Sequence, residues 1–286
     1  MPDSNQDAIA PAVQLTAWDR VKLARHAERP HALDYLGELT TNWVELHGDR
    51  AFGDDRALIG GLATMDGRTV MVLGHQKGND TKENISRNFG MAKPEGYRKA
   101  ERLMRHAEKF GFPIVTFIDT PGAEPGIGSE ERGQATAIAE SLLTMSDLGV
   151  PTVAVIIGEG GSGGALAIGV ADRILMLENA IYAVASPEAC AAILWKDAGR
   201  AAEAAETMRI TAGDLASFGI VDEVIPEILP AHERPKEAMR ATGEAIVRHL
   251  RDLDGAFPFT DPDRQNRLRE QLYQRFRRIG AWMEGG

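Results

Sequence analysis

Apolar and polar positions divide the chain into segments of different period. "ALIGGLATM" and "TVMVLG" stand on either side of Asp66-Gly67. Two apolar stretches joined by an Asp-Gly pair predict a hairpin, with strands at 57–65 and 69–74. From Pro113 onward near-continuous apolar runs recur: "PIVTFIDTPG", "PTVAVIIG" and "RILMLENAIYAV". Between them lie "SEERGQATAIAESLLTMSDLG" and "GGALAIGVA", which read as helices. Strands without a polar face, alternating with helices, predict an α/β sheet covered on both sides. "PEGYRKAERLMRHAEKFG" predicts a helix that Pro94 can open and Gly111 stops.

The flanking segments are more polar. Residues 16–46 read as helical with a break near Pro30, and residues 76–97 as loop-rich. "SPEACAAILW" and "AAEAAETMRI" predict helices, and "TAGDLASFGIVDEVIP" a helix, a turn and a short strand. After Pro230 the chain is helical and polar, ending in an arginine-rich helix at 262–283. The expected organisation is a lead-in with a helical segment at 1–49, an α/β domain at 50–230 and a helical segment at 231–286.

Composition narrows the function classes. The chain has 286 residues, 43% of them hydrophobic, and a net charge of −10, which argues against general nucleic-acid binding. No apolar run reaches the length of a membrane-spanning helix, so no membrane association is expected. "MPDSNQDAIAPAVQ" lacks a signal-peptide pattern and has the composition of a disordered lead-in, so a cytoplasmic location is predicted. Cys190 is the only cysteine, which rules out an intrachain disulfide and a multi-cysteine zinc site. His75, His106 and Cys190 have no companions at metal-ligand spacing, and no metal is expected. His75 ends a strand, where it can serve as a structural hydrogen-bond donor.

The chemistry-bearing stretch is "VAVIIGEGGSGGALAIG", with five glycines among the seven residues Gly158–Gly164. Gly158, Gly160 and Gly163 fit a dinucleotide-binding spacing, with Glu178 about 20 residues on, but the following helix is very short for that unit. Gly160–Gly164 also fits a nucleophile elbow around Ser162, with Asp222 and His232 or His249 as partners. A third reading is an anion-stabilising turn, in which the amides of Gly163 and Gly164 meet a developing negative charge at a helix N-terminus. Close helix packing that excludes side chains is the non-functional reading. "FIDTPGAEPG" resembles a nucleotide-hydrolase segment, but the chain contains no Gly-Lys pair for the required phosphate loop. Its glycine turn instead forms a second loop at a strand end, and two such loops side by side define a crevice.

Residues 77–109 hold nine Lys or Arg against five Asp or Glu, a local balance of +4. A solvated helix face explains this; so does attraction of an anionic ligand or an acidic partner, for which Lys77 and Lys82 are the candidates. A first basic patch comprises Arg20, Lys22, Arg25, His26, Arg29 and His31.

Five stretches carry a resemblance to a known family: "GGLATMDGRTVMVLGHQKG", "NFGMAKPEGYRKAERLM", "FIDTPGAEPGIGSEERGQATAIAESL", "GVPTVAVIIGEGGSGGALAIGVADRILMLENAIYAVASPEACAAILWKD" and "GIVDEVIPE". Over roughly residues 30–230 the chain resembles the alpha subunit of bacterial and plastid acetyl-coenzyme A carboxylase carboxyltransferase. The resemblance implies a crotonase-like (ClpP/crotonase) α/β fold, a spiral of β-β-α units with flanking helices. It implies transfer of a carboxyl group from carboxybiotin to acetyl-coenzyme A, giving malonyl-coenzyme A for fatty acid biosynthesis. The partners implied are a beta subunit in an alpha2beta2 assembly, a biotin carboxyl carrier protein, and a biotin carboxylase that consumes the ATP. The family's zinc ribbon belongs to the beta subunit, in keeping with the single cysteine. Family members often carry a longer helical segment where this chain has only about twenty residues before "LARHAERPHALDYL".

By this resemblance Gly163 and Gly164 hold the biotin ureido oxygen, and beta-subunit amides hold the enolate of the thioester. Gly122 and Ala123 line the biotin cleft. Gly160 and Gly161 shape the turn or contact the cofactor, Glu159 has a structural role, and Ser162 is not a nucleophile. The alternatives are a carboxyltransferase for a slightly larger acyl-coenzyme A, or a non-catalytic scaffold for the beta subunit.

Overall fold

Asp66 and Gly67 both take left-handed backbone angles, φ 50° and 74°, the geometry of a two-residue hairpin turn. The two strands that they join begin the main sheet. The computed structural model describes residues 15–280; the lead-in expected at 1–14 and the last residues of the helix expected to reach 283 lie outside the described residues. In chain order the elements are α1 Ala17–Ala24, α2 Ala32–Leu39, β1 Thr41–Glu45, β2 Leu58–Met65, β3 Arg68–His75, α3 Thr81–Ser86, α4 Pro94–Phe110 and β4 Ile114–Thr120. There follow α5 Ile127–Glu131, α6 Gln134–Ser146, β5 Thr152–Gly161, α7 Ser162–Leu166, β6 Arg173–Leu177, β7 Ile181–Ala183 and α8 Pro187–Trp195. The chain closes with α9 Ala201–Met208, α10 Ala212–Ser217, β8 Glu223–Ile225, α11 Pro235–Ala256 and α12 Arg264–Arg277.

The strands lie in the order β1-β2-β3-β4-β5-β6-β8, with β7 paired to β5 off this path. β1, β2 and β3 are antiparallel, and the run from β3 to β8 is parallel. Every residue of β4 and β5 is buried, which is why both read as unbroken apolar runs. α4 covers one face: a side chain at Gly60 would strike Leu103. α2 covers the other: a side chain at Gly74 would strike Ala32.

β5 passes from one neighbour to another along its length. Val153–Ile156 pairs with β6, whereas Glu159–Gly161 pairs with β7. The change turns the flat sheet into the spiral of a crotonase-like fold.

Several local expectations need correction. Residues 41–45, expected to be helical, form strand β1 along the edge of β2. The tertiary pairing overrides the amphipathic reading of that segment. The helix expected at 129–149 is interrupted at Gly133, whose φ is 82°. The strand expected to stop at Gly158 continues to Gly161. One hydrophobic cluster takes in Tyr35 and Leu36 from before residue 50 and Leu250, Leu268 and Leu272 from after residue 230.

Candidate active site

Three strands deliver their ends to one place. β3 ends at His75, β4 at Thr120, and β5 runs on into the glycine turn. The turns that follow β4 and β5 touch. A side chain on Gly161 would stand 2.1 Å from the Pro121 carbonyl oxygen, and one on Gly164 would stand 2.5 Å from the Ala123 nitrogen and 2.6 Å from the Gly122 carbonyl carbon. Glycine is required at both places because backbone packs against backbone. The Thr120 hydroxyl holds the facing turn by donating to the Gly122 carbonyl at 2.7 Å and accepting from the Gly122 N–H at 3.1 Å.

The four glycines have different surroundings. Gly160 and Gly161 are buried interior positions of β5, packed on the Tyr182 ring and on Pro121. The contact role expected for them is therefore replaced by a geometric one: their missing side chains let β7 and the β4 turn approach. Gly164 is buried against the Gly122–Ala123 backbone, which leaves no room for a side chain on it. Gly163 is half-buried, and a side chain there would meet only Ile138, at 3.7 Å. Ile138 in turn lines a cavity of about 380 Å³ together with Ala123, Glu124 and Gln134. At Gly122 nothing lies within 4 Å of the side-chain position. The open ground of the site thus lies at Gly122 and Gly163, and the packed ground behind Gly161 and Gly164. No side chain caps the start of α7, whose first-turn N–H groups have no partner inside the helix.

Behind the turns lies a buried polar layer. Asp119 Oδ1 accepts from Lys77 Nζ at 2.6 Å and from the Glu159 N–H at 3.1 Å, and Oδ2 is 3.0 Å from His31 Nδ1. Burial favours the neutral carboxyl, but Lys77 and His31 outweigh it and hold Asp119 well below the usual carboxylate range. Lys77, a candidate for an anionic ligand or an acidic partner, is thus turned inward to a buried carboxylate. Glu159 is buried and accepts from Arg25 at 2.6 and 3.0 Å. His75 and Tyr97 are also buried, the His75 imidazole against the Gly164 backbone, and neither side chain makes a hydrogen bond of ordinary geometry. Burial pushes the His75 imidazole down to about 4 and raises the Tyr97 phenol. A side chain at Gly164 would lie 3.0 Å from the Tyr97 oxygen.

The basic stretch 77–109 is largely neutralised from within. Lys99 is fully buried, 2.5 Å from Asp54 and 2.8 Å from the Asp55 carbonyl. Arg98 pairs with Asp49, Arg102 donates to the Gly48 carbonyl and Arg105 pairs with Glu101. Lys82 is exposed on α3, apart from the Lys77 cluster. On this helix Arg98, Lys99 and Arg105 are thus paired with carboxylates, while Arg102 meets only carbonyl oxygens.

Of the competing readings of the glycine stretch, dinucleotide binding and a nucleophile elbow do not survive, while close packing holds for Gly160, Gly161 and Gly164. α7 has five residues, too few for a dinucleotide-binding helix, and Glu178 is engaged by Arg20. Ser162 is exposed with φ 50°, as at a nucleophile elbow, but its partners are elsewhere. Asp222 bonds the Ile174 N–H at the start of β6, the opposite end of the sheet. His249 bonds Glu223, and His232 stacks on His26. Among the described residues no group of three or more His, Cys, Asp or Glu could hold a metal, and no helix is long and apolar enough to cross a membrane.

Comparison with known proteins adds an independent line. The family profile described as "Acetyl co-enzyme A carboxylase carboxyltransferase-like" matches residues 5–280. The acetyl-coenzyme A carboxylase carboxyl transferase subunit alpha of Synechococcus elongatus is 54% identical over 271 residues, 94% of this chain and 81% of that one. Its counterpart in Thermus thermophilus is 55% identical over 271 residues, 94% of this chain and 84% of that one. Among solved structures, transcarboxylase 12S with methylmalonyl-coenzyme A bound superposes with a TM-score of 0.60 at 23% identity, over 77% of this chain and 42% of that one. The beta subunit of Pseudomonas aeruginosa geranyl-CoA carboxylase gives a TM-score of 0.60 at 14% identity, over 82% and 44%. At these identities the structural likeness establishes the fold.

Proposed function

The chain belongs to the acetyl-coenzyme A carboxylase carboxyltransferase alpha-subunit family, and we propose that its two touching glycine turns form the biotin side of the carboxyl-transfer site. It is a biotin-dependent carboxyltransferase subunit, acting in the formation of malonyl-coenzyme A from acetyl-coenzyme A. The observation that carries the site assignment is the open space at Gly163 beside the open turn at Gly122, backed by fully packed backbone.

The residues fit a flat ring carrying a carbonyl oxygen. A cradle without side chains at Gly122 and Gly163 admits the ring, and Ala123 and Ile138 offer apolar contact. Biotin, delivered as carboxybiotin on a carrier protein, supplies the transferable carboxyl group. The amides of Gly163 and Gly164, in the first turn of α7, are the donors that would hold the ring oxygen and would favour its more charged form over the neutral one. The acetyl-coenzyme A thioester is held mainly by a beta subunit. The proposed assembly is alpha2beta2, served in the cytoplasm by a biotin carboxyl carrier protein and a biotin carboxylase that uses ATP.

Reconstitution tests this reading. The purified chain alone should make no malonyl-coenzyme A. With its beta subunit, carrier and biotin carboxylase it should do so, dependent on bicarbonate and ATP. Full turnover by the chain alone would refute the divided site. An alpha variant at Gly163 that assembles normally yet remains fully active would refute the placement of the ureido oxygen.

A further inference from the structure

The step at which β5 changes neighbours is a bulge. Ile118 pairs with Ile156 and Thr120 with Gly160, so Asp119 alone stands opposite Ile157, Gly158 and Glu159. A bulge releases backbone groups from the ladder, and buried ones need other partners. Here side chains supply them from both ends. Arg29 Nε donates to the Ile157 carbonyl at 2.6 Å, and Asp119 Oδ1 accepts from the Glu159 N–H at 3.1 Å. Between them, a side chain on Gly158 would stand 2.5 Å from Asp119 Oδ1 and 3.2 Å from the Ala24 carbonyl.

Both holding groups are buried and fixed in turn. Arg29 meets Glu227 through two contacts, at 3.1 and 2.7 Å, and Asp119 is held by Lys77 and His31. Glu227 also accepts from the Asn179 N–H and the Ala231 N–H, so the support reaches the far side of the spiral. A buried ion pair is a poor stabiliser, since well-packed apolar residues often serve stability as well or better. What apolar residues cannot supply is a directional grip on one carbonyl and one amide. That grip acts four positions before Gly163.

We propose that Arg29 and Asp119 are positioning residues for carboxyl transfer: they pin the β5 bulge from either side and thereby place the Gly163–Gly164 turn against the Gly122–Ala123 turn. Being buried, neither touches substrate. The inference rests on the reading of that turn given above and extends it to residues in the N-terminal segment and at the end of β4.

The test uses Arg29→Lys and Asp119→Asn in the assembled alpha–beta enzyme. Lysine keeps a charge opposite Glu227 but loses the planar fork that reaches Ile157 and Glu227 together. Asparagine keeps the shape of Asp119 but not its charge. Each variant is expected to lose about 100-fold in kcat, as for a displacement of about 1 Å in a reacting geometry, with little change in KM for acetyl-coenzyme A. Hydrogen exchange should accelerate in a peptide covering 157–164 while the rest of the sheet remains protected. Unchanged exchange there would overturn the pinning role. Locally faster exchange with normal kcat would leave the bulge contacts intact as described but refute the turn as the reacting site. Exchange rising throughout the core with normal kcat per assembled enzyme, or failure of both variants to assemble, would make the network a requirement of folding and overturn the proposal.

Discussion

Adding one methyl group at Gly163 or at Gly164 separates chemistry from packing. At Gly163 the new carbon would lie 3.7 Å from Ile138 Cγ2 and 3.8 Å from Cδ1, ordinary van der Waals distances. Gly163→Ala therefore fits the fold, and alanine in place of a helical glycine stabilises by up to about 1 kcal/mol. The amide remains, but the methyl stands beside Ile138, which with Ala123 lines the neighbouring cavity. A ring that must sit against that amide is pushed away, and a displacement of about 1 Å costs roughly 100-fold. At Gly164 the new carbon would lie 2.5 Å from the Ala123 nitrogen and 2.6 Å from the Gly122 carbon. These are backbone atoms of the facing turn, with no rotamer to swing aside, so overpacking costs about 1–3 kcal/mol or more. That corresponds to about 2–4 °C in melting temperature per kcal/mol. The assay is malonyl-coenzyme A formation per assembled complex, with the melting curve of each variant recorded beside it. Gly163→Ala should melt at or above wild type and turn over about 100-fold more slowly; Gly164→Ala should melt lower. Normal turnover in Gly163→Ala would mean that the reacting oxygen is held elsewhere. Unchanged melting in Gly164→Ala would mean that the two turns can part without cost.

Ser162 has an exposed side chain on a left-handed residue, so Ser162→Ala should leave turnover near wild type, whereas a nucleophile would lose nearly all of it, and Ser162→Gly should stabilise by about 1 kcal/mol as the backbone strain is relieved; thermal melting and rate measurements check both. The pH dependence of stability should contain two opposing contributions. Burial lowers His75 to about 4 from 6.5, against the pull of Asp119 and with the push of Lys77, so its contribution is present above pH 6.5 and lost as pH falls to about 4. Burial raises Asp172 to about 6 from 3.8, despite hydrogen bonds from Thr152 and the nearby Arg173, so its contribution is present below pH 3.8 and lost as pH rises through about 6. Each amounts to about 3 kcal/mol, at 1.36 kcal/mol per pH unit. Between pH 4 and 6 they oppose each other, so His75→Gln should move the slope of stability against pH downward relative to wild type across that window. A denaturant midpoint whose slope against pH is the same in His75→Gln as in wild type would refute the assignment of His75.

What was legible in the sequence is what depends on neighbours in the chain. The buried strands announce themselves because both faces are covered, and the hairpin because Asp66 and Gly67 tolerate left-handed angles. Gly111 stops α4 in the left-handed conformation expected of it. β1 was hidden because a half-exposed edge strand has no strong apolar period, and its pairing to β2 decides its form. The continuation of β5 through Gly160 and Gly161 was hidden for a different reason. Glycine argues against a strand locally, and only the Tyr182 ring beside Gly160 and the Pro121 carbonyl oxygen, 2.1 Å from where a Gly161 side chain would begin, explain why nothing larger can stand there. The charged residues were least legible. Arg29 and Glu227 meet across 198 positions, and Lys77 meets Asp119 across 42. Nothing in either segment marks these residues as internal, because the partner that neutralises each charge is brought there only by the closed spiral. The glycine turn could therefore be singled out from its own residues, while the groups that fix its position could be found only once the strands that carry them were laid side by side.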